Sequence, residues 1–178
     1  MTYTAFVVRL TRTGGPEVPR IEQSSINELG AGQVWLEQDA IGNNYLDVTQ
    51  RNGAVPLQLP PGLGLEGAGR VAAIGPGVTN VKGGDRVAYA TGPIGSYASG
   101  RVYPAERLVH LPSDLSPTDA ASVLFKGDYG AVPSEVDLSR RSDDGRPDLR
   151  RSRWPRAIND AVGQASRRFR DRSAAPLI

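Results

Sequence analysis

Few side chains in this 178-residue chain have types suited to chemistry, because it has no cysteine and only one histidine. Without cysteine, disulfides, thiolate nucleophiles and cysteine-ligated zinc are excluded. His110 lies in the run Val-His-Leu-Pro, which is typical of an ordinary strand residue rather than a catalytic base. Any chemistry must therefore depend on carboxylates, amides, hydroxyls and cations.

A short polar segment begins at Asn44 and predicts a helical turn. From spacing alone, Asp47 caps this turn and Arg51, four residues later, pairs with it. Glu66 opens a strand of small residues and is either a cleft residue or an acid at a strand end. Lys126 closes a later helix, where a cation is favoured near the C-terminus.

The elements that position these groups are predicted to be mostly strands. Val34 and Leu36 alternate with Trp35 and Glu37, which predicts two opposite faces of one strand. The predicted strands cover Thr2–Leu10, Gln33–Ile41, Glu66–Ile74, Arg86–Ala90 and, less regularly, Val102–Val109.

One late helix completes this pattern. Ser116 is a suitable N-cap, Pro117 suits the first helical position, and acidic Asp119 stands in the first turn of a helix that runs through Phe125. Many short strands with few short helices predict a mainly β fold, a partly open β-barrel.

The composition changes after Gly127. Residues 1–127 hold 10 lysines and arginines against 11 acidic residues, whereas residues 128–178 hold 11 arginines, no lysine and 8 acidic residues. This arginine-rich tail has few aliphatic side chains, so we expect it to be irregular or poorly ordered. No apolar run is long enough to cross a bilayer, and the N-terminus lacks a signal-peptide pattern, which predicts a cytoplasmic protein.

Several strings in residues 1–127 occur together in a familiar order. The chain resembles the zinc-free, zeta-crystallin-like quinone oxidoreductases of the medium-chain dehydrogenase/reductase family. The strings that carry the resemblance are GGPEV (Gly14–Val18), AIGNNYLDVTQRNG (Ala40–Gly53), LPPGLGLEGAGRVAAIGPGV (Leu59–Val78), GGDRVAY (Gly83–Tyr89), GSYAS (Gly95–Ser99) and DLSPTDAASVLFKG (Asp114–Gly127).

The resemblance implies that residues 1–127 form a GroES-like, substrate-side domain. Members of the family carry a Rossmann domain after it, which binds NADPH, and pass hydride to a quinone in the cleft between the two domains. The resemblance also implies a homodimer for the intact protein and no metal. Leu65 stands where zinc-dependent relatives have a histidine ligand.

The resemblance assigns roles to specific residues, four of which (Asn44, Tyr45, Asp47 and Arg51) match the family's N-(F/Y)-x-D-x-x-x-R pattern. It implies that one short segment faces the nicotinamide of NADPH and that three charged residues border the substrate cleft. The first set is Asn44, Tyr45, Leu46, Asp47, Val48 and Thr49, and the second is Arg51, Glu66 and Lys126. The sequence points to no catalytic residue among them.

Residues 128–178 lack the glycine-rich turn that receives a pyrophosphate. Codons for residues 128–138, read from their second base, permit ITAQYLLRSTY, and those for residues 148–154 permit IYAAAGG. Both are peptides expected after LFKG in this family. The pattern predicts a frameshifted tail in place of the Rossmann domain, and a natural arginine-rich tail is the alternative.

The resemblance therefore implies an NADPH:quinone oxidoreductase, and the altered tail predicts that the present chain is truncated and inactive. An alkenal or enoyl reductase is an alternative on the same scaffold. A third interpretation is a non-catalytic GroES-like module whose basic tail binds RNA. The tail has only three aromatic residues for base stacking, which disfavours RNA binding.

Overall fold

The chain forms seven strands and two helices in this computed structural model, which describes residues 2–58 and 62–128, with side chains as far as Phe125. The expectations for the tail, for the boundary at residue 128 and for the side chain of Lys126 fall outside these residues. The strands are β1 (Tyr3–Arg9), β2 (Arg20–Ile26), β3 (Gln33–Gly42), β4 (Glu66–Ile74), β5 (Arg86–Tyr89), β6 (Gly100–Pro104) and β7 (Val109–His110). The helices are α1 (Tyr45–Asn52) and α2 (Pro117–Asp128).

All the strand pairs are antiparallel, and they form two sheets. Strands β1 and β2 make a hairpin, and the other five follow the order β6-β3-β4-β5-β7. An isolated bridge between Val7 and Ala98 joins the hairpin to the segment that precedes β6. Within the described ranges β6 and β7 remain unpaired with each other, so the larger sheet does not close into a barrel. The mainly β prediction is confirmed.

Strand β3, which lies between β6 and β4, departs from its predicted pattern at one position. Val34 and Leu36 are buried as expected, but Trp35 on the opposite face is buried as well. The hairpin covers that face, and the ring of Tyr3 lies 5.4 Å from the ring of Trp35 between centroids. The alternation of residues 34–37 correctly predicted that β3 has two different faces. It could not show that β1 and β2 cover the face that carries Trp35.

The stretch from residue 102 to 109 is not one continuous strand. Strand β6 ends at Pro104, and a 3₁₀ turn over Ala105–Arg107 separates it from the two-residue β7. Proline has no backbone N–H to continue the ladder, and the amide of Leu108 instead donates to the carbonyl of Ala105 at 3.1 Å.

Helix α2 begins as the sequence predicts. The hydroxyl of Ser116 accepts a hydrogen bond from the backbone amide of Asp119 at 3.1 Å and donates to its carboxylate at 2.7 Å. The helix buries Ala120, Ala121 and Leu124 against β3, β4 and β5, in a cluster of apolar side chains. Neither of the described helices is long and apolar enough to cross a membrane.

Candidate functional site

The start of helix α1 is held by a carboxylate of its own first turn. One oxygen of Asp47 accepts the backbone N–H of Asn44, the N-cap residue, at 2.8 Å. This contact satisfies an amide that the helix itself leaves unpaired. The prediction that Asp47 caps the turn is confirmed, and the helix ends at Gly53, whose φ of 89° is the left-handed conformation typical of a glycine stop.

Helix α1 buries polar side chains and exposes apolar ones. Asp47 and Gln50 are buried, whereas Tyr45 is 67% exposed and Val48 is 36% exposed. Tyr45 and Val48 are three residues apart, so they lie on the same side of the helix. The helix therefore presents an aromatic ring and an aliphatic side chain outward from a polar foundation.

The phenol of Tyr97 belongs to that foundation. Its hydroxyl accepts a hydrogen bond from the side-chain amide of Asn43 at 2.7 Å and donates to Asp47 at 3.1 Å. Burial, followed by the charge of Asp47, raises the pKa of Tyr97 well above its ordinary value of 10. Tyr97 is thus a neutral hydrogen-bond donor to Asp47. Its role was not visible in the sequence, because 50 residues separate it from its acceptor.

Glu66 is completely buried, although it is the first residue of β4. Its carboxylate accepts the side-chain N–H of Asn44 at 3.0 Å and the backbone N–H of Phe125 at 2.8 Å. It is therefore not a solvated acid at a strand end. It joins the N-cap of α1 to the last turn of α2.

Gly42 allows this junction to close. A Cβ atom built on Gly42 would lie 2.3 Å from the backbone oxygen of Ala121 and 2.3 Å from Glu66 Oε2. Both distances are far below any real Cβ contact, so the end of β3 must be glycine for α2 and Glu66 to approach it.

A second buried network supports the loop that carries Tyr97. The side-chain amide of Gln38 donates to the carbonyls of Ser96 at 2.8 Å and Ala98 at 2.6 Å, and its oxygen accepts from the hydroxyl of Tyr89. The guanidinium of Arg101 donates to Tyr89 at 3.3 Å. Burial raises the pKa of Tyr89 to about 12, so its hydroxyl stays protonated and donates.

Arg101 anchors the same loop from the other end. It donates to the carbonyl of Pro93 at 2.7 Å and stacks over the rings of Tyr89 and Tyr103, at 5.2 and 4.9 Å from their centroids. Cation–π stacking and charge-assisted hydrogen bonds together fix a buried guanidinium. This network was not predictable from the sequence, because its members come from different strands.

The remaining predicted residues lie around α1. The hydroxyl of Thr49 donates to the carbonyl of Leu46 at 2.9 Å, within the helix. Arg51 is half-buried, and its carbonyl accepts from Gly14 at 2.9 Å. Leu65 is a buried apolar residue. The structure thus brings Asn44, Asp47 and Glu66 into one hydrogen-bonded group, with Tyr45 and Val48 exposed beside it.

This fold and sequence match a known domain. The alcohol dehydrogenase GroES-like domain matches residues 30–113. A quinone oxidoreductase from Pseudomonas aeruginosa is 46% identical over 121 residues, which are 67% of this chain and 37% of that protein. A 2-haloacrylate reductase from a Burkholderia species is 39% identical over 123 residues, which are 65% of this chain and 37% of that protein.

A solved structure gives the same result. The Escherichia coli quinone oxidoreductase complexed with NADPH superposes with a TM-score of 0.66 at 36% identity, over 68% of this chain and 38% of that one. The chain spans less than two fifths of the length of these relatives. Fold and site together define a GroES-like domain. The chain belongs to the medium-chain dehydrogenase/reductase family, and the quinone oxidoreductases of that family are among the proteins it resembles.

Proposed function

We propose that residues 1–127 are the substrate-side domain of an NADPH-dependent quinone reductase that uses no zinc. The observation that carries the proposal is the outward face of α1, where Tyr45 and Val48 are exposed above a buried polar foundation. A flat apolar ring is well covered by an aromatic and an aliphatic side chain. The relatives named above include a structure that holds NADPH.

NADPH, when bound, supplies a hydride. Tyr45 and Val48 would contact its nicotinamide, with Leu46 and Thr49 on the same short helix. Asn44 and Asp47 would hold this surface in place rather than touch the ring, because both are buried and hydrogen-bonded. A quinone is electrophilic enough to accept hydride without a Lewis acid, so orientation of the two rings is the main task of the protein.

Arg51 and Lys126 would border the quinone, where a cation favours the negative charge that develops on the reduced oxygen. The backbone of α2 brings residue 126 to the turn that follows Phe125. Glu66 belongs to the supporting group, since its carboxylate is buried. This assignment revises its predicted place at the cleft.

We further propose that the chain as written is inactive and that residues 128–178 are frameshifted. Its support is the lack of a pyrophosphate-binding glycine turn in these residues and the family peptides that an alternative frame permits. The direct test is the coding DNA across codons 120–178. An intact frame whose alternative readings contain no family peptide would contradict the frameshift.

Activity is tested with two proteins. We expect the purified 178-residue chain to oxidise no NADPH above background with duroquinone, followed at 340 nm. A second protein, translated in the alternative frame after Gly127, should be active. We call it the in-frame protein, because its frame restores the family's sequence. In that protein Tyr45→Ala should lower kcat/KM by about 10-fold to 100-fold, as expected for loss of a ring-positioning contact. An unchanged kcat/KM would contradict the role of α1.

Reduction of an activated carbon–carbon double bond is a second candidate. The similarity to a 2-haloacrylate reductase, close to that of the quinone oxidoreductases in extent and identity, favours it. The same in-frame protein discriminates the two: a kcat/KM for 2-chloroacrylate that exceeds that for duroquinone would identify an enoate-type reductase.

A further inference from the structure

Glu66 links helices α1 and α2 of this domain. The proposed function does not depend on this link, but the link would help to position the exposed face of α1. Its carboxylate contacts Asn44 on the α1 side and Phe125 on the α2 side, and no part of the residue is exposed. A buried carboxylate is costly unless its oxygens are hydrogen-bonded. The buried carboxylate of Glu66 is therefore stable only while α1 and α2 keep their observed positions.

The link is specific in polarity. The hydrogen bonds from Asn44 and Phe125 both come from N–H donors, so each oxygen of the Glu66 carboxylate acts as an acceptor. An ionised carboxylate has acceptors only, whereas the isosteric glutamine has one acceptor and one donor. With Asn44 in its observed orientation, a glutamine of the same shape could accept only one of these two N–H groups.

The link also has little freedom to shift. Glu66 Oε2 and the backbone oxygen of Ala121 both lie against Gly42. A single methyl group on Gly42 would fill the space that they occupy. On its other side, Asn44 is fixed because its backbone N–H donates to Asp47, which Tyr97 also holds. Displacement of α2 must therefore move the carboxylate, the amide of Asn44 and the first turn of α1 together.

We propose that Glu66 is a positioning residue that couples α2 to the exposed face of α1. Through it, the helix that leads out of this domain sets the orientation of Tyr45 and Val48. The proposal depends on the proposed function only for the use of that face. The coupling itself is a property of the described residues.

The test exchanges the polarity of one contact. Glu66→Gln removes an acceptor, and we expect exchange of the Phe125 amide with solvent to quicken by about 10-fold, with shifted backbone NMR signals over residues 45–49. Asn44→Asp sets a second carboxylate against Glu66 and should be at least as disruptive. In the double variant the new amide donates to the new carboxylate, and its oxygen still accepts from Phe125.

We expect the double variant to return the Phe125 exchange rate to within about threefold of the parent and to restore the signals of residues 45–49. If Glu66 had only a general structural role, the effects of Glu66→Gln and Asn44→Asp on these measurements would add. If the double variant is no better than Glu66→Gln alone, the coupling proposal is wrong. Asn80→Ala is the matched control, because it removes a part-buried side-chain hydrogen bond to Ala105, remote from Glu66.

A variant that fails to fold does not end the test. In the parent chain, the scalar NMR coupling across the hydrogen bond between the Phe125 nitrogen and the Glu66 carboxylate carbon should be measurable, and its absence would overturn the proposal. Asn44→Ala supplies a milder perturbation. It should change Phe125 exchange beyond the Asn80→Ala control, because Glu66 accepts hydrogen bonds from both Asn44 and Phe125.

These measurements separate the two proposals. They need no ligand, so they report on coupling even if the α1 face binds nothing. Titration of the protein translated in the alternative frame with NADPH, followed by the NMR signals of residues 45–49, addresses the proposed function alone. Unchanged signals there with reciprocal rescue intact would reject the function and leave the coupling in place.

Discussion

The two helices of this domain bury opposite kinds of side chain. Helix α2 packs Ala120, Ala121 and Leu124 into an apolar cluster, as a helix on the surface of a globular protein usually does. Helix α1 buries Asp47 and Gln50 and exposes Tyr45 and Val48. The first arrangement serves stability. The second fixes a surface that is apolar enough to receive a ring but is not covered by the described residues.

The largest expected effect belongs to α2. Leu124→Ala removes a fully packed side chain from the cluster beneath the sheet, and we expect a loss of about 3 kcal/mol in the free energy of unfolding. Urea unfolding followed by circular dichroism measures it. Val123→Ala, at a half-buried neighbouring position, is the matched control and should cost about 1 kcal/mol or less.

Asp47→Ala should destabilise almost as much, although the residue is polar. It leaves the buried N–H of Asn44 and the hydroxyl of Tyr97 without their shared acceptor, which we expect to cost about 2–3 kcal/mol. Unfolding in urea would show this. A change of less than about 0.5 kcal/mol would mean that α1 is not held by polar contacts and that the contrast with α2 is mistaken.

Alkaline pH should weaken α1 and not α2. Because burial and the charge of Asp47 raise the pKa of Tyr97 in the folded protein, its contribution is complete below pH 10 and declines as the pH rises above 10. One proton corresponds to about 1.4 kcal/mol per pH unit. Tyr97→Phe should flatten the fall in unfolding free energy above pH 10 by up to this slope, whereas an unaltered slope would exclude Tyr97 as its source.

The smallest stability effect is expected at the exposed face of α1. Tyr45→Ser and Val48→Ser, singly, should change the unfolding free energy by no more than about 0.5 kcal/mol, because both side chains are solvent-accessible. In the in-frame protein the same substitutions should raise the KM for NADPH. Stability losses above 1 kcal/mol would show that these side chains pack inside the domain instead.

The sequence predicted α2 well because its signals are local. Ser116, Pro117 and Asp119 mark the start within four residues, and the apolar spacing that follows needs no other part of the chain. Strand β2 was missed for the opposite reason. Its sequence, RIEQSSI, is mostly exposed and carries little apolar alternation, so only its pairing with β1 makes it a strand.

The site was predictable in part. The polar segment at Asn44 and its short helix are visible in the sequence, and the family resemblance directs attention to it. The direction of its faces is not visible, because Asp47 is buried only through partners as distant as Tyr97. Glu66 illustrates the same limit: its sequence position allowed either a cleft residue or an exposed acid, and contacts with both helices decide for burial.

The bare backbone at Gly42 has a consequence for how this scaffold can vary. A methyl group there would collide with the Ala121 carbonyl and with Glu66, so a residue larger than glycine would push α2 away from the sheet. Gly42 therefore sets the distance between β3 and α2. The exposed face of α1 can therefore be redesigned freely, provided that the gap at Gly42 stays as narrow as it is.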